Sequence, residues 1–184
     1  MIRDQDRSGW FGASDTAVIM GSWGTRTFAN WWLEKLGVRE NHVKTAAMLA
    51  GTHYEHCVLD YLGIRKRDRQ IRIRPLRLRV NLDGETDIIH EVKTHKSEEF
   101  RVSKAYWMQC QVEQFAAGKP CEIVAYRLTD AEYQNYFLPI DGGRITRHAI
   151  PYEKDWIREA YLPRLRYLAG CLRKGVWPDA GVAI

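Results

Sequence analysis

Asn81–Thr94 reads NLDGETDIIHEVKT, and the rest of the chain is understood from it. Asp83 is followed eight residues on by Glu91-Val92-Lys93. Alternate side chains of a strand point to one face, so Glu91 and Lys93 project together. A turn at Gly84-Glu85 would bring Asp83 back beside them. Two carboxylates and one amine then converge, enough to hold a divalent cation and position a water. Oxygen donors suit Mg2+ or Mn2+, and the Val92 backbone carbonyl can add another ligand. A charged Lys93 is no ligand. It suits orienting or deprotonating the attacking water, or stabilising the phosphorus as charge develops. The set fits phosphodiester hydrolysis better than glycoside or acyl chemistry. Asp87, four residues before Glu91 on the same run, is the alternative to Asp83.

Outward from this stretch, hydrophobic periodicity predicts helices over Asp15–Met20, Phe28–Leu36, Ala46–Leu62 and Tyr106–Ala117. It predicts strands over Gln70–Arg74, Arg77–Leu82, Asp87–Lys93, Glu122–Leu128 and Tyr133–Ile140. Tyr152–Lys174 reads as a long helix kinked or split at Pro163. Asn41–Thr45 reads as a polar connection. The order gives an α/β fold, a mixed sheet flanked by helices in a single domain, residues 1–184. Glu55 falls beside the apolar stripe of the third helix, which raises the question of what neutralises it. Trp23, Trp31 and Trp32 read as core, with a wedge against a duplex end as the alternative.

The chain has 184 residues, a net charge of +5 and 45% hydrophobic residues, values of a folded domain with a core. No apolar run is long enough to span a bilayer, and no secretory signal is read at the N-terminus. The four cysteines are scattered and no CxxC pair occurs, so a zinc ribbon is not expected. Reduced thiols and a cytoplasmic location, without a membrane partner, are the expectation. The basic charge is concentrated. Arg65–Arg79 holds eight Arg or Lys against one acid, Asp68. Alternation there sets Arg72, Arg74, Arg77 and Arg79 on one face, either a guarded sheet edge or a phosphate-contacting surface. No Gly-rich phosphate loop or nucleophile elbow competes with the acidic centre.

Five pieces in order carry a resemblance: Gly12-Ala-Ser14-Asp15, Gly51-Thr-His-Tyr-Glu55, Leu82-Asp83-Gly84, Glu91-Val-Lys93 and Tyr106-Trp-Met-Gln109-Cys-Gln111. Together they resemble the lambda-exonuclease-like, YqaJ-type viral recombinase group of the PD-(D/E)xK nuclease superfamily. Leu82 stands where that group usually has proline. The resemblance implies a restriction-endonuclease-like core. It implies a metal-binding and catalytic triad of Asp83, Glu91 and Lys93, with Glu55 helping to bind a second metal. Gln109 would line the active site. Arg7 and Ser14 lie at the spacing that holds a terminal 5′-phosphate, a role Ser14 would suit as a helix cap and Arg7 as a bidentate donor. The implied activity is a two-metal, Mg2+-dependent 5′→3′ exonuclease on double-stranded DNA ends; the alternatives are a structure-specific endonuclease or nickase with the same core, or a non-catalytic DNA-binding module. A homotrimeric ring and a single-strand annealing partner in phage recombination are implied too, and Arg65–Arg79 would line the ring.

Overall fold

The computed structural model describes residues 7–40 and 45–182. Its centre is one five-stranded sheet in the order β1-β2-β3-β4-β5, over Arg67–Ile73, Leu78–Glu85, Ile89–His95, Cys121–Arg127 and Ile145–Ile150. Neighbours are antiparallel except β3 and β4, which run parallel. A parallel pair needs a crossover, and helix α4, Lys104–Ala117, supplies it. The Ser103 hydroxyl caps α4 by accepting the Tyr106 N–H at 3.2 Å, and Gly118 ends it at φ +67°.

Period-two alternation divides the interior between the two faces of the sheet. On β4, Cys121 and Ile123 join one cluster while Val124 and Tyr126 join the other. The larger cluster packs β2 against α1 (Thr16–Met20), α2 (Arg26–Lys35), α4 and the C-terminal helix α7 (Leu162–Lys174). Phe11, Phe28, Trp31 and Trp32 stack within it, which makes Trp23, Trp31 and Trp32 core residues and not a wedge. The smaller cluster packs α3, Ala46–Tyr61, over Val92, Val124 and Tyr126. Of the connection expected at Asn41–Thr45, only Thr45 lies within the described residues, and it caps α3. All four cysteines are free.

Several expectations are corrected. Tyr133–Ile140 is no strand. Thr129 and Glu132 form a reciprocal capping box that starts helix α5, Asp130–Gln134, and the last strand is Ile145–Ile150. The turn lies at 86–88, not at Gly84-Glu85, so Gly84 stays in β2 opposite His90. The alternation expected across Arg74–Arg79 breaks. Arg74–Leu76 is a 3₁₀ turn at Pro75, and Arg77 is left-handed at φ +50°. The C-terminal helix is unbroken in sequence but widened: α6, Lys154–Trp156, passes through a π-turn at Ile157–Tyr161 into α7. Pro163 has no N–H and its ring crowds the carbonyl four residues back. The widened turn ahead of it, where the Leu162 N–H reaches Ile157, accommodates both.

Candidate active site

β2 and β3 pair only at Gly84–His90 and Glu85–Ile89, then part. Beyond that point the Asp83 carboxylate accepts the Val92 N–H at 2.9 Å. N–H and C=O of one strand residue point to the same side, so the Val92 carbonyl also faces this opening. Gly84 allows the approach of α3 here. A Cβ on it would meet Leu59 Cδ2 at 2.5 Å and Ile64 Cγ2 at 3.1 Å. Gly51 does the same one turn before Glu55, with Thr94 Oγ1 at 3.3 Å from where its Cβ would be. Residues four apart share a helix face, so Gly51 brings the Glu55 side of α3 down onto β3.

The opening is a cavity of about 320 Å³. Glu55, Asp83, Glu91, Val92, Lys93 and Gln109 line it, as do Arg7, Ser14 and Arg79. The expected triad, the helix glutamate, the glutamine and the two expected phosphate anchors therefore meet in one space. Asp87 does not: it is exposed in the 86–88 turn, away from the lining residues. Ser14 lies within a 3₁₀ turn, Ala13–Asp15, and caps no helix. Its hydroxyl reaches the cavity from an exposed position. The turn is fixed by Asp15, which accepts from the Gly12 N–H at 2.7 Å and the Trp31 indole at 2.9 Å and pairs with buried Lys35 at 2.6 Å.

Glu91 is the most enclosed member, 2% exposed. Its Oε1 accepts from Lys93 Nζ and Gln109 Nε2, each at 2.5 Å. Its Oε2 is buried with no hydrogen-bond partner. Gln109 is held in turn by Glu113 at 2.8 Å, and Lys93 lies 5.1 Å from the Tyr106 ring centre. Burial pushes the Asp83 carboxyl well above the carboxylate range, helped by the charges of Glu91 and Glu55. Burial, then Glu91 and Asp68, push Glu55 up to about 7. Burial also raises Glu113, again with Glu91. Desolvation works against the Lys93 charge, but Glu91 and Asp83 outweigh it and hold the ammonium protonated beyond its ordinary range. An all-oxygen donor set, an orphaned buried carboxylate oxygen and acids strained by mutual repulsion fit a hard divalent cation.

The expected arginine face is divided. Arg79 is buried and reaches the cavity, while Arg72 and Arg74 are exposed on edge strand β1 and the turn after it. Arg72 and Arg77 lie 5.7 and 5.9 Å from the Trp10 ring centre. Other cations of the run are used within the fold: Lys66 and Arg69 pair with buried Glu85, and Arg67 with Asp60. Asp68 and Trp10 also line the cavity and were not singled out from the sequence. Asp68 takes φ +57° within β1, a conformation no local signal announces. Of the other helix glutamine, Gln111 bridges away from the site to the Pro151 carbonyl and the Glu153 N–H.

A mixed sheet with a parallel β3–α4–β4 unit, helices on both faces and a β2–β3 opening lined by acids and a lysine make up the expected α/β fold. Solved structures share it. LHK-Exo, an alkaline exonuclease from Laribacter hongkongensis, superposes in its dAMP complex with a TM-score of 0.66 at 20% identity, over 92% of this chain and 90% of that one. A phage-related exonuclease from Haemophilus somnus gives 0.64 at 12% identity, over 90% and 96%. A putative exonuclease from Eubacterium rectale gives 0.54 at 13% identity, over 92% and 83%. No protein-family model matches the chain, and no curated protein matches it in sequence. Among the described residues, no helix is long and apolar enough to cross a membrane.

Proposed function

We propose that the chain is a Mg2+-dependent deoxyribonuclease that digests one strand of double-stranded DNA from its 5′ end. The observation that carries this reading is Glu91: a buried carboxylate with one oxygen held by Lys93 and Gln109 and the other without a partner, facing a cavity shared with Asp83 and Glu55. Asp83, Glu91, Glu55 and the Val92 carbonyl would hold two Mg2+ or Mn2+ ions. When bound, these supply Lewis-acid stabilisation of the charge that builds on the scissile phosphate.

The side chains divide the remaining work. Gln109 fixes one Glu91 oxygen and leaves the other without a hydrogen-bond partner. Lys93, kept protonated by its acidic neighbours, serves as a donor to the attacking water or to a phosphate oxygen. This favours the orienting role over the deprotonating one. Arg7 and Ser14, which line the same cavity, bind the terminal 5′-phosphate. Exposed Arg72 and Arg74 contact the backbone farther along the duplex. A homotrimer around the duplex, working beside a single-strand annealing protein, belongs to the same proposal. Three copies per particle in sedimentation equilibrium is the expected result.

The reading is tested with a linear duplex labelled at either end, with and without 5′-phosphate, in Mg2+ or EDTA. The expected result is metal-dependent release from the 5′-labelled end and no attack on a covalently closed circle. Cleavage of the closed circle would overturn it.

A further inference from the structure

Beside the acidic centre lies a second group of ligating side chains. α3 supplies Glu55 and, next to it, His56; β1 supplies Asp68. Their donor atoms all lie within 4.8 Å of one another. His56 Nε2 is 3.5 Å from Asp68 Oδ1 and 3.9 Å from Glu55 Oε1. Octahedral coordination at about 2.1 Å sets adjacent ligands about 3.0 Å apart and opposite ones about 4.2 Å apart. The observed separations fall between these values.

Two facts tie this group to the centre. Asp68 and Glu55 line the same cavity as Asp83 and Glu91. Glu91 is almost fully buried there and keeps one carboxylate oxygen without a partner. The strand register continues the link. Arg67 pairs with Gly84 and Arg69 with Leu82, so Asp68 falls opposite Asp83. None of the motifs that carry the resemblance includes His56 or Asp68.

We propose that His56 and Asp68, together with Glu55, form the seat of the second divalent cation, and that the imidazole biases this seat toward Mn2+ over Mg2+. Mg2+ favours oxygen donors and gives up its water reluctantly, whereas nitrogen donors gain in affinity along the transition series. The proposal rests on the nuclease reading for the role of the cation, not for its presence.

The test is Mn2+ titration of the metal-free full chain, followed by electron paramagnetic resonance, with electron spin echo modulation to detect nitrogen bound to the ion. The wild type should bind two Mn2+ and show a 14N coupling. His56→Gln should abolish the coupling and weaken one Mn2+ at least about tenfold, while Mg2+ affinity changes less. Asp68→Asn should weaken the same ion. Asparagine tolerates the left-handed conformation of that position, so the backbone is preserved, and circular dichroism confirms folding. If both variants bind two Mn2+ with wild-type affinity and no 14N coupling is present, His56 and Asp68 are an ion pair only and the proposal is overturned. The nuclease reading fails separately: two bound Mn2+ with the coupling, but no digestion of any DNA end, would leave the seat standing without that activity.

Discussion

The Asp83 carboxylate accepts the Val92 N–H at 2.9 Å where the β2–β3 ladder has already ended. One side chain thus does two things. It satisfies a backbone donor that the parting strands leave exposed, and it fixes a carboxylate at the mouth of the gap. Asp83→Asn retains an acceptor for that N–H while losing the charge. The variant should fold and lose digestion by at least about a hundredfold. Asp87→Asn, in the exposed turn, should digest at the wild-type rate. A gel time course on an end-labelled duplex reads both.

Lys93 holds the charge balance as well as the chemistry. Lys93→Ala leaves buried Glu91 with Gln109 as its only donor. Breaking a buried pair from one side costs about 3 kcal/mol. The melting temperature in EDTA should fall accordingly, and digestion in Mg2+ should drop about 10²–10³-fold.

The site and the rest of the fold respond to pH with opposite signs. Glu55 titrates at about 7 when folded, above its ordinary 4.5. The cost of its charged form is therefore absent below about pH 4.5 and complete above about pH 7, on the order of 3 kcal/mol. Metal-free protein should lose stability as the pH rises through that window. Glu55→Gln should flatten this slope in chemical denaturation.

Glu132 behaves in the reverse way. Burial alone would raise its pKa, but hydrogen bonds from Arg144, Tyr126 and Thr129 pull it down to about 2. Its stabilisation is complete above about pH 4.5 and is lost as the pH falls toward 2, again about 3 kcal/mol. Glu132→Gln should remove most of that acid sensitivity. It should also melt earlier at neutral pH, because the Arg144 guanidinium keeps a weaker partner.

Arg7→Ala should slow digestion of 5′-phosphorylated ends by about tenfold or more and leave 5′-hydroxyl ends nearly unchanged. Equal slowing of both would place Arg7 outside the phosphate pocket.

The centre was legible because its signals are local. Strand alternation put Glu91 and Lys93 together, and an i, i+4 helix relation left Glu55 on the side that Gly51 lowers onto β3. What failed was governed by tertiary pairing. The turn shifted from Gly84-Glu85 to 86–88 because Gly84 is needed inside β2, where no side chain fits against Leu59. Asp68 was hidden because nothing in its neighbouring sequence announces a left-handed residue, φ +57°, within β1. The Tyr133–Ile140 error had a readable remedy. Thr129-x-x-Glu132 is a capping box, and weighing it above the aromatic spacing gives a helix start.

The sheet divides the interior unequally, and the site draws on both parts. Glu91 and Gln109 are anchored on the side of the larger cluster, whereas Glu55 is carried by α3 over the smaller one. Amide protons of α3 should exchange with deuterium sooner than those of α4, since fewer buried contacts hold that helix down. A cation bridging the two sides would fasten α3 to the remainder, so its exchange should slow on metal loading while that of α4 stays the same.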